Sequence, residues 1–295
     1  MVNDQSTNLP FDAVGGPLDT LCIAMANKIR LEWPQKWRDL PEAAVTLNAI
    51  LKVSENTYKS ILYLCAEKPP DPSRKLEYAI SAPPLARTIL DSVFTVVFLF
   101  ENFQSHFAWY MKSGWREIYK EHQRYGAAYG SEPKWNDWLQ SHASVLTDLE
   151  RRSGVTAAEK AKPDLIRWFP KPGKMSRIQE LSGPTKSYLI YLNDWFYRSL
   201  SSSSHLSLPG LMNRSAYLLR FLGRSEDEEE RERVLGKFRS DSVVTAIILL
   251  VALLSELQIG LEYDLAQRCK FLWTMLAGFF GTADEIYKLR YVALL

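Results

Sequence analysis

Apolar residues recur along this chain at the three- and four-residue spacing of an α-helix. The first apolar stripe comprises Leu18, Leu21, Cys22, Met25 and Ile29. Pro17 stands at its predicted start, because proline is favoured in the first turn of a helix. No stretch of convincing length alternates apolar and polar residues as a strand does. The pattern predicts an all-α protein.

The same spacing places the remaining helices and the loops between them. A second helix begins near Pro41 and ends before Pro69, because a helix does not continue across consecutive prolines. The later predicted helices start at Pro83, Phe103, Trp135, Ser187, Asp241 and Asp264. Residues 163–184 contain enough proline and glycine to predict a packed loop. We expect residues 1–16 to form a flexible tail and residues 17–295 to form a single helical bundle.

Composition favours a well-packed globular protein and leaves its partner open. Hydrophobic residues make up 46% of the 295 positions and charged residues 24%, which suffices for a large core. The formal net charge of +2 is too small to indicate nucleic-acid binding by overall electrostatics. Any contact with RNA is therefore expected to be local.

Several observations predict a cytoplasmic protein that is not membrane-bound. The N-terminus lacks the basic and apolar regions of a signal peptide. The longest apolar run, 243–254, is closed by Ser255 and Glu256 and is shorter than the roughly 20 residues that span a bilayer. Cys22, Cys65 and Cys269 stand far apart, which predicts buried free thiols in a reducing compartment.

The motifs of common cofactor and metal enzymes do not occur. The sequence contains no P-loop, no GxGxxG, no HExxH, no GxSxG and no carboxylate set with metal-ligand spacing. We therefore expect neither a metal nor a cofactor.

A serine-rich polar segment over 197–207 carries the candidate chemistry. Arg198 and His205 stand seven positions apart, and five of the six residues between them are serine. In a helix, seven steps of about 100° return both side chains to nearly one face, roughly 10 Å apart along the axis. Two such basic side chains can hold one phosphate, and histidine suits proton transfer near neutral pH.

Two interpretations of the serines stay open. Serine weakens a helix interior because its hydroxyl competes for backbone groups. In one interpretation Ser201 to Ser204 form a capped helix end, and His205 hydrogen-bonds the last carbonyl groups. In the other, the weakened end presents Ser201, Ser204, Arg198 and His205 to an anionic ligand.

Further polar residues can support this segment. Arg87 and Asp91 stand four apart on an apolar helix, which indicates either an intrahelical salt bridge or the border of the same polar pocket. In the second case Asp91 would orient a basic partner. Asn193 and Asp194, just before Tyr197, can serve the same purpose or lie on an exposed face.

These residues resemble the motifs of two groups of helical proteins. The Arg198 and His205 spacing is similar to the Arg-x(4–6)-His signature of HEPN-superfamily ribonucleases. Residues 75–260 also resemble a family of uncharacterised bacterial helical proteins. That likeness rests on Arg87 with Asp91, on Trp168-Phe-Pro170 before a short helix, and on Tyr197-Arg-Ser-Leu-Ser201 followed by His205 and Ser207.

The HEPN resemblance implies a helical core, with additional helices here, that is often dimeric and cuts RNA without a metal. It implies Arg198 and His205 as catalytic residues, and an effector of the toxin or phage-defence type with an antitoxin or other protein partner. One departure is Ser199, where many HEPN nucleases carry Asn, Asp or His after the arginine.

Two other patterns have simpler interpretations. Arg116 and His122 form a second Arg-x(5)-His match, but their amphipathic helix predicts a solvated face. The aromatic groups over 109–115 and 135–138 can stack on bases, although helical spacing favours a core or dimer interface.

Two hypotheses of function follow. The first is a metal-independent endoribonuclease that acts as a homodimer on RNA. The second is a non-catalytic helical module that binds a protein partner or an anionic ligand at the same polar pocket.

Overall fold

The computed structural model describes residues 11–66, 68, 71–179, 181–204 and 228–295. Every regular element in these ranges is helical and none is a strand, which confirms the all-α prediction. The helices are α1 (Phe11–Leu31), α2 (Pro41–Leu64), α3 (Lys75–Glu101), α4 (Phe103–Tyr129), α5 (Asn136–Ser153), α6 (Ala157–Ala161), α7 (Pro172–Met175), α8 (Gly183–Leu192), α9 (Arg198–Ser204), α10 (Glu228–Leu261), α11 (Ala266–Phe279) and α12 (Gly281–Ile286). Two π-helical segments, Asn193–Tyr197 and Tyr287–Tyr291, follow α8 and α12.

The chain divides into two compact units, where the sequence indicated one domain over 17–295. The first unit lies within Met1–Val97 and Met175–Leu295, and the second is Phe98–Lys174. The HEPN-like core stays a prediction.

Two helices begin earlier than their prolines indicated. Helix α1 begins at Phe11, inside the stretch predicted as a tail, and contains Pro17. Val14 and Leu18 are fully buried one turn apart, so the apolar face starts before the proline. Helix α3 likewise contains Pro83 and Pro84. The buried alanines on either side of them, Ala79, Ala82 and Ala86, continue its core face. Burial therefore offsets the backbone hydrogen bonds that these prolines remove.

Helix α10 is the central helix of the first unit and is longer than the predicted 241–262. Its described part extends from Glu228 to Leu261 and so includes the end of the acidic run. It continues through Ser255 and Glu256, and its apolar side chains over 243–254 are buried, as expected for a core helix. Helices α1, α2 and α11 pack against it.

Helix α11 ends at Phe279, although the sequence predicted one continuous helix over 264–291. Phe280 adopts an extended backbone, with φ −129° and ψ 114°, before Gly281 opens α12. The second π-helical segment follows α12 directly and is itself followed by a turn over 292–294.

Among the described residues, two helices have the length and apolar composition to cross a membrane, α3 and the 232–261 part of α10. Most of that part of α10 is buried within the protein, and about half of the apolar window of α3 is. The core helix of a soluble protein meets the same criteria, so the cytoplasmic location stays a prediction.

The three cysteines are free and buried, as predicted. Burial raises the pKa of Cys22 to about 12, of Cys65 to about 11 and of Cys269 to about 12. A thiol reacts as its thiolate, so these residues should react poorly at neutral pH. We expect almost no modification of the native protein by a thiol reagent at pH 8, and three equivalents in denaturant. Rapid modification of native protein would contradict this burial.

The second unit is built on α4 and α5, which pack against each other. Residues 163–169 fold across α4, where the hydroxyl of Ser113 accepts a 2.7 Å hydrogen bond from the Phe169 N–H. The region predicted as a loop over 163–184 contains α7 and the start of α8.

Candidate functional site

The predicted polar segment lies at the junction of α8, the first π-helical segment and α9 in the first unit. Tyr197 ends the π-helical segment, Arg198 begins α9 and Ser204 ends it. His205 and Ser207 lie outside the described residues. The geometry of the Arg198 and His205 pair is therefore still a prediction.

The π-helical turn sets the direction of the residues around Arg198. The Arg198 N–H donates to the carbonyl of Asn193, five residues earlier. Such a turn accommodates one extra residue and is frequent at functional sites. Asn193 is buried and its Nδ2 donates to Asp194 Oδ1 at 3.3 Å, whereas Asp194 is exposed. Of these two residues predicted to support the site, Asn193 is therefore buried and Asp194 is open to solvent.

Arg87, Asp91 and Tyr197 form one polar cluster between α3 and the π-helical segment. Arg87 Nη2 donates to the Tyr197 hydroxyl at 3.0 Å, and the guanidinium lies 5.0 Å from the centroid of the Tyr197 ring. Arg87 Nε lies 3.7 Å from Asp91 Oδ2. The ring of Phe94 packs edge-on against Tyr197 at 5.9 Å. These contacts fix the turn before Arg198 to α3.

Asp91 is held in an unusual state for a carboxylate. Burial raises its pKa above the ordinary value, and the nearby Arg87 cation offsets part of that rise. Its Oδ1 is buried and has no hydrogen-bond partner within the described part of the chain. An acceptor in this state can orient a basic group beside α3.

Arg198 points into solvent. Its side chain is 71% exposed, and its Nη2 lies 3.2 Å from Asp194 Oδ1. An exposed pair of residues four apart on a helix contributes only about 0.3–0.5 kcal/mol, so an anion can displace Asp194. Ser201 is half-buried, and Ser202 donates to the Ser199 carbonyl at 2.7 Å. The structure thus joins Arg87, Asp91 and Tyr197, and leaves Arg198 open to a ligand.

Replacing Tyr197 by phenylalanine removes the hydroxyl that Arg87 donates to and little else. A hydrogen bond from a charged group contributes about 1.5–3 kcal/mol, and the partial exposure of Arg87 reduces this, so we expect a loss of about 1–2 kcal/mol. Urea denaturation measures the change. The exposed Tyr63, replaced by phenylalanine, is the control and should change stability by less than about 0.5 kcal/mol. Equal effects of the two replacements would contradict the assigned contact.

The second Arg-x(5)-His match does not lie on a solvated face as predicted. Arg116 is 7% exposed, donates to the Ile166 carbonyl at 2.7 Å and pairs with Asp164. Its guanidinium lies 4.2 Å from the Trp168 ring centroid. Helical periodicity describes the faces of one helix and not what packs on them. It therefore gave no sign that residues 163–169 cover Arg116.

Three of the four histidines and most tryptophans belong to the second unit. The rings of His122 and His142 stack at 5.5 Å, and Trp138 stacks on His142 at 4.9 Å. Trp115 is buried, and Trp109 donates to the Arg167 carbonyl at 3.0 Å. Trp115 therefore belongs to the core, whereas Trp138 is 40% exposed and its role in stacking or in an interface stays a prediction.

Sequence reasoning missed a buried polar cluster around Glu256. Arg290 donates to both carboxylate oxygens of Glu256 at 3.0 Å and to the Thr185 hydroxyl at 2.9 Å. The Tyr291 hydroxyl donates to Glu256 at 2.9 Å and lies 2.8 Å from that of Tyr188. Glu256 is 1% exposed. The available signal in the sequence was Glu256, a carboxylate two residues after the apolar run 243–254. Its partner Arg290 stands 34 residues later, where helical spacing does not connect the two.

The charges of this cluster are matched within the core. Burial alone lowers the pKa of Arg290, but Glu256 outweighs burial and raises it above the ordinary value. Burial and the Glu256 charge raise the pKa of Tyr291, so its hydroxyl stays protonated and donates. The cluster is therefore a closed set of hydrogen bonds that joins α8, α10 and the C-terminal π-helical segment.

The described residues contain no group of three or more metal-ligating side chains. In comparisons with family models, curated proteins and solved structures, no match to this chain is found. The function is therefore argued from the residues themselves.

Proposed function

We propose that the protein is a metal-independent endoribonuclease that uses Arg198 and His205. The supporting observation is the placement of Arg198: its guanidinium is exposed, and the turn before it is fixed to α3 by the contact of Arg87 with Tyr197. An arginine on a fixed backbone binds a phosphate with less loss of conformational freedom than one on a mobile loop. Arginine also matches phosphate geometry with two parallel hydrogen bonds.

The proposed reaction needs proton transfer and stabilisation of charge. The ribose 2′-oxygen attacks the adjacent phosphorus while His205 accepts the hydroxyl proton. The bond from phosphorus to the 5′-oxygen breaks, and that oxygen takes up a proton from the protonated His205 or from water. Arg198 stabilises the negative charge on the phosphoryl oxygens, and Ser201 or Ser204 donates a hydrogen bond to one of them. Asp91 orients a basic partner in the same polar pocket.

The HEPN resemblance extends this proposal to the biological setting. It suggests a cytoplasmic effector of the toxin or phage-defence type, with an antitoxin or another protein as partner. It also suggests a homodimer. Light scattering at tens of micromolar should give the mass of two chains, and the mass of one chain would contradict the dimer.

The test of the enzymatic proposal is RNA cleavage by the purified protein in the presence of EDTA. The expected result is cleavage at an unchanged rate when the chelator is added. Cleavage that stops with the chelator would contradict the proposal, and so would the absence of cleavage on every RNA tried.

The second candidate is a non-catalytic module that binds a protein partner or an anionic ligand at the same place. The exposed guanidinium of Arg198 favours it, because an arginine open to solvent can bind an anion without any reaction. Binding of RNA or a partner without any cleavage would support this candidate.

A further inference from the structure

A row of exposed side chains, with the half-buried Tyr191 among them, runs along the outer face of α8, the π-helical segment and the start of α9. We call it the α8–α9 stripe; it comprises Ile190, Tyr191, Asp194, Trp195 and Arg198. Trp195 is 66% exposed and Ile190 is 42% exposed. The opposite face of the same segment is buried, through Tyr188, Leu189, Leu192, Phe196 and Leu200. The inner face therefore supplies the packing of this segment, and Trp195 is not needed for it.

Trp195 and Tyr191 present an aromatic surface to solvent. Their ring centroids lie 6.0 Å apart with the planes tilted by 34°. About two thirds of Trp195 remains exposed beside the Tyr191 ring, so the indole is accessible to a ligand. An exposed aromatic face of this kind is what proteins use to stack on the bases of single-stranded nucleic acids.

A cation lies beside this aromatic surface. Arg198 follows Trp195 by three residues, directly after the π-helical segment, and its side chain is 71% exposed. Its pairing with Asp194 is exposed and therefore weak. A base on Trp195 and a phosphate on Arg198 fit within the span of one or two nucleotides.

We propose that Trp195 is a stacking platform for an unpaired base of single-stranded RNA whose phosphate Arg198 binds. The proposal rests on the proposed function, since it takes RNA as the ligand of Arg198, and it adds the preference for a single strand. In a duplex the bases stack on one another, and their faces do not reach Trp195.

RNA fits the α8–α9 stripe better than a protein does. A stable protein interface buries about 800 Å² on each partner, far more than three partly exposed apolar side chains provide. The stripe also carries the charged Asp194 and Arg198 among its apolar members, whereas the centre of a protein interface is depleted of charge. A nucleotide needs only one aromatic face and one cation.

The test is the binding of a fluorescein-labelled single-stranded oligoribonucleotide with 2′-O-methyl groups, which block cleavage, measured by anisotropy. Loss of one stacked base should weaken binding about 5- to 150-fold in Trp195→Ala. Trp195→Phe should keep most of the affinity, because phenylalanine also stacks. Phe271→Ala, at an exposed phenylalanine on α11, is the matched control and should bind as the wild type does. Binding to a duplex of the same sequence should not change in Trp195→Ala.

Parallel cleavage of unmodified RNA separates this proposal from the proposed function. If the wild type cleaves RNA and Trp195→Ala binds the single strand equally well, the stacking platform is wrong and the enzyme stands. If the wild type binds through Trp195 but never cleaves, the platform stands and the enzyme is wrong. A wild type that does not bind the oligonucleotide overturns the platform. The platform is also overturned if Trp195→Ala alters only the molar mass measured by light scattering and leaves RNA binding unchanged, because Trp195 is then a protein contact.

Discussion

Replacing Arg198 by alanine is expected to reduce the rate of RNA cleavage by about 10²–10³-fold, because the arginine supplies charge stabilisation to the transition state. Lysine at this position should restore little of the rate, since it cannot form two parallel hydrogen bonds to a phosphate. Replacing His205 by alanine should cost about 10²–10⁴-fold through the loss of proton transfer. Initial rates on a fluorogenic RNA measure all three variants.

Arg151 provides the matched control for Arg198. It is 76% exposed and lies 2.8 Å from Asp148, so it is also an exposed arginine beside a carboxylate on a helix. Arg151→Ala should cleave RNA at a rate within about twofold of the wild-type rate, because Arg151 is not part of the proposed site. A twofold change in rate corresponds to less than about 0.5 kcal/mol of activation free energy. An Arg198→Ala variant that is folded by circular dichroism and cleaves as fast as the control would contradict the catalytic role.

Replacing Arg290 by methionine is expected to lower the free energy of unfolding by about 3–5 kcal/mol. The variant leaves the Glu256 carboxylate buried without its cation, and an uncompensated buried charge is strongly destabilising. Urea denaturation gives the change. Lys288→Met is the control, because the exposed Lys288 pairs with Asp284 at the surface and its loss should change stability far less than the loss of Arg290.

The double variant Glu256→Leu with Arg290→Met separates the charge effect from loss of packing. Apolar residues in place of a buried ion pair are often neutral or stabilising, so the double variant should recover most of the stability lost in Arg290→Met. A double variant less stable than Arg290→Met would show that the contacts of the side chains, rather than the isolated charge, determine the effect.

Apolar spacing along the chain was sufficient to predict the helices of the core. The first apolar stripe, Leu18, Leu21, Cys22, Met25 and Ile29, lies on the buried face of α1, as its spacing indicated. The boundaries were harder to predict where proline was taken as a helix start. Pro17 and Pro83 lie inside helices because neighbouring residues are buried on a continuous face, which no local rule for proline takes into account.

The candidate site was predictable only in part. The Arg87 and Asp91 pair follows from its four-residue spacing on one helix. The contact of Arg87 with Tyr197 joins residues 110 positions apart, and no periodic pattern reports such a contact. The exposure of Trp195 was equally hidden, because it depends on the π-helical turn that changes which residues of the segment face the core.

The chemical ends of the RNA products test the central claim most directly. RNA cleaved by the wild type in EDTA should carry 2′,3′-cyclic phosphate and 5′-hydroxyl ends, because the account assigns the attack to the 2′-oxygen and requires no metal. Mass spectrometry distinguishes these ends from 3′-hydroxyl and 5′-phosphate ends. We expect cyclic phosphate ends from the wild type and almost none from His205→Ala. Products with 5′-phosphate ends, or the same cyclic products at full rate from His205→Ala, would contradict it.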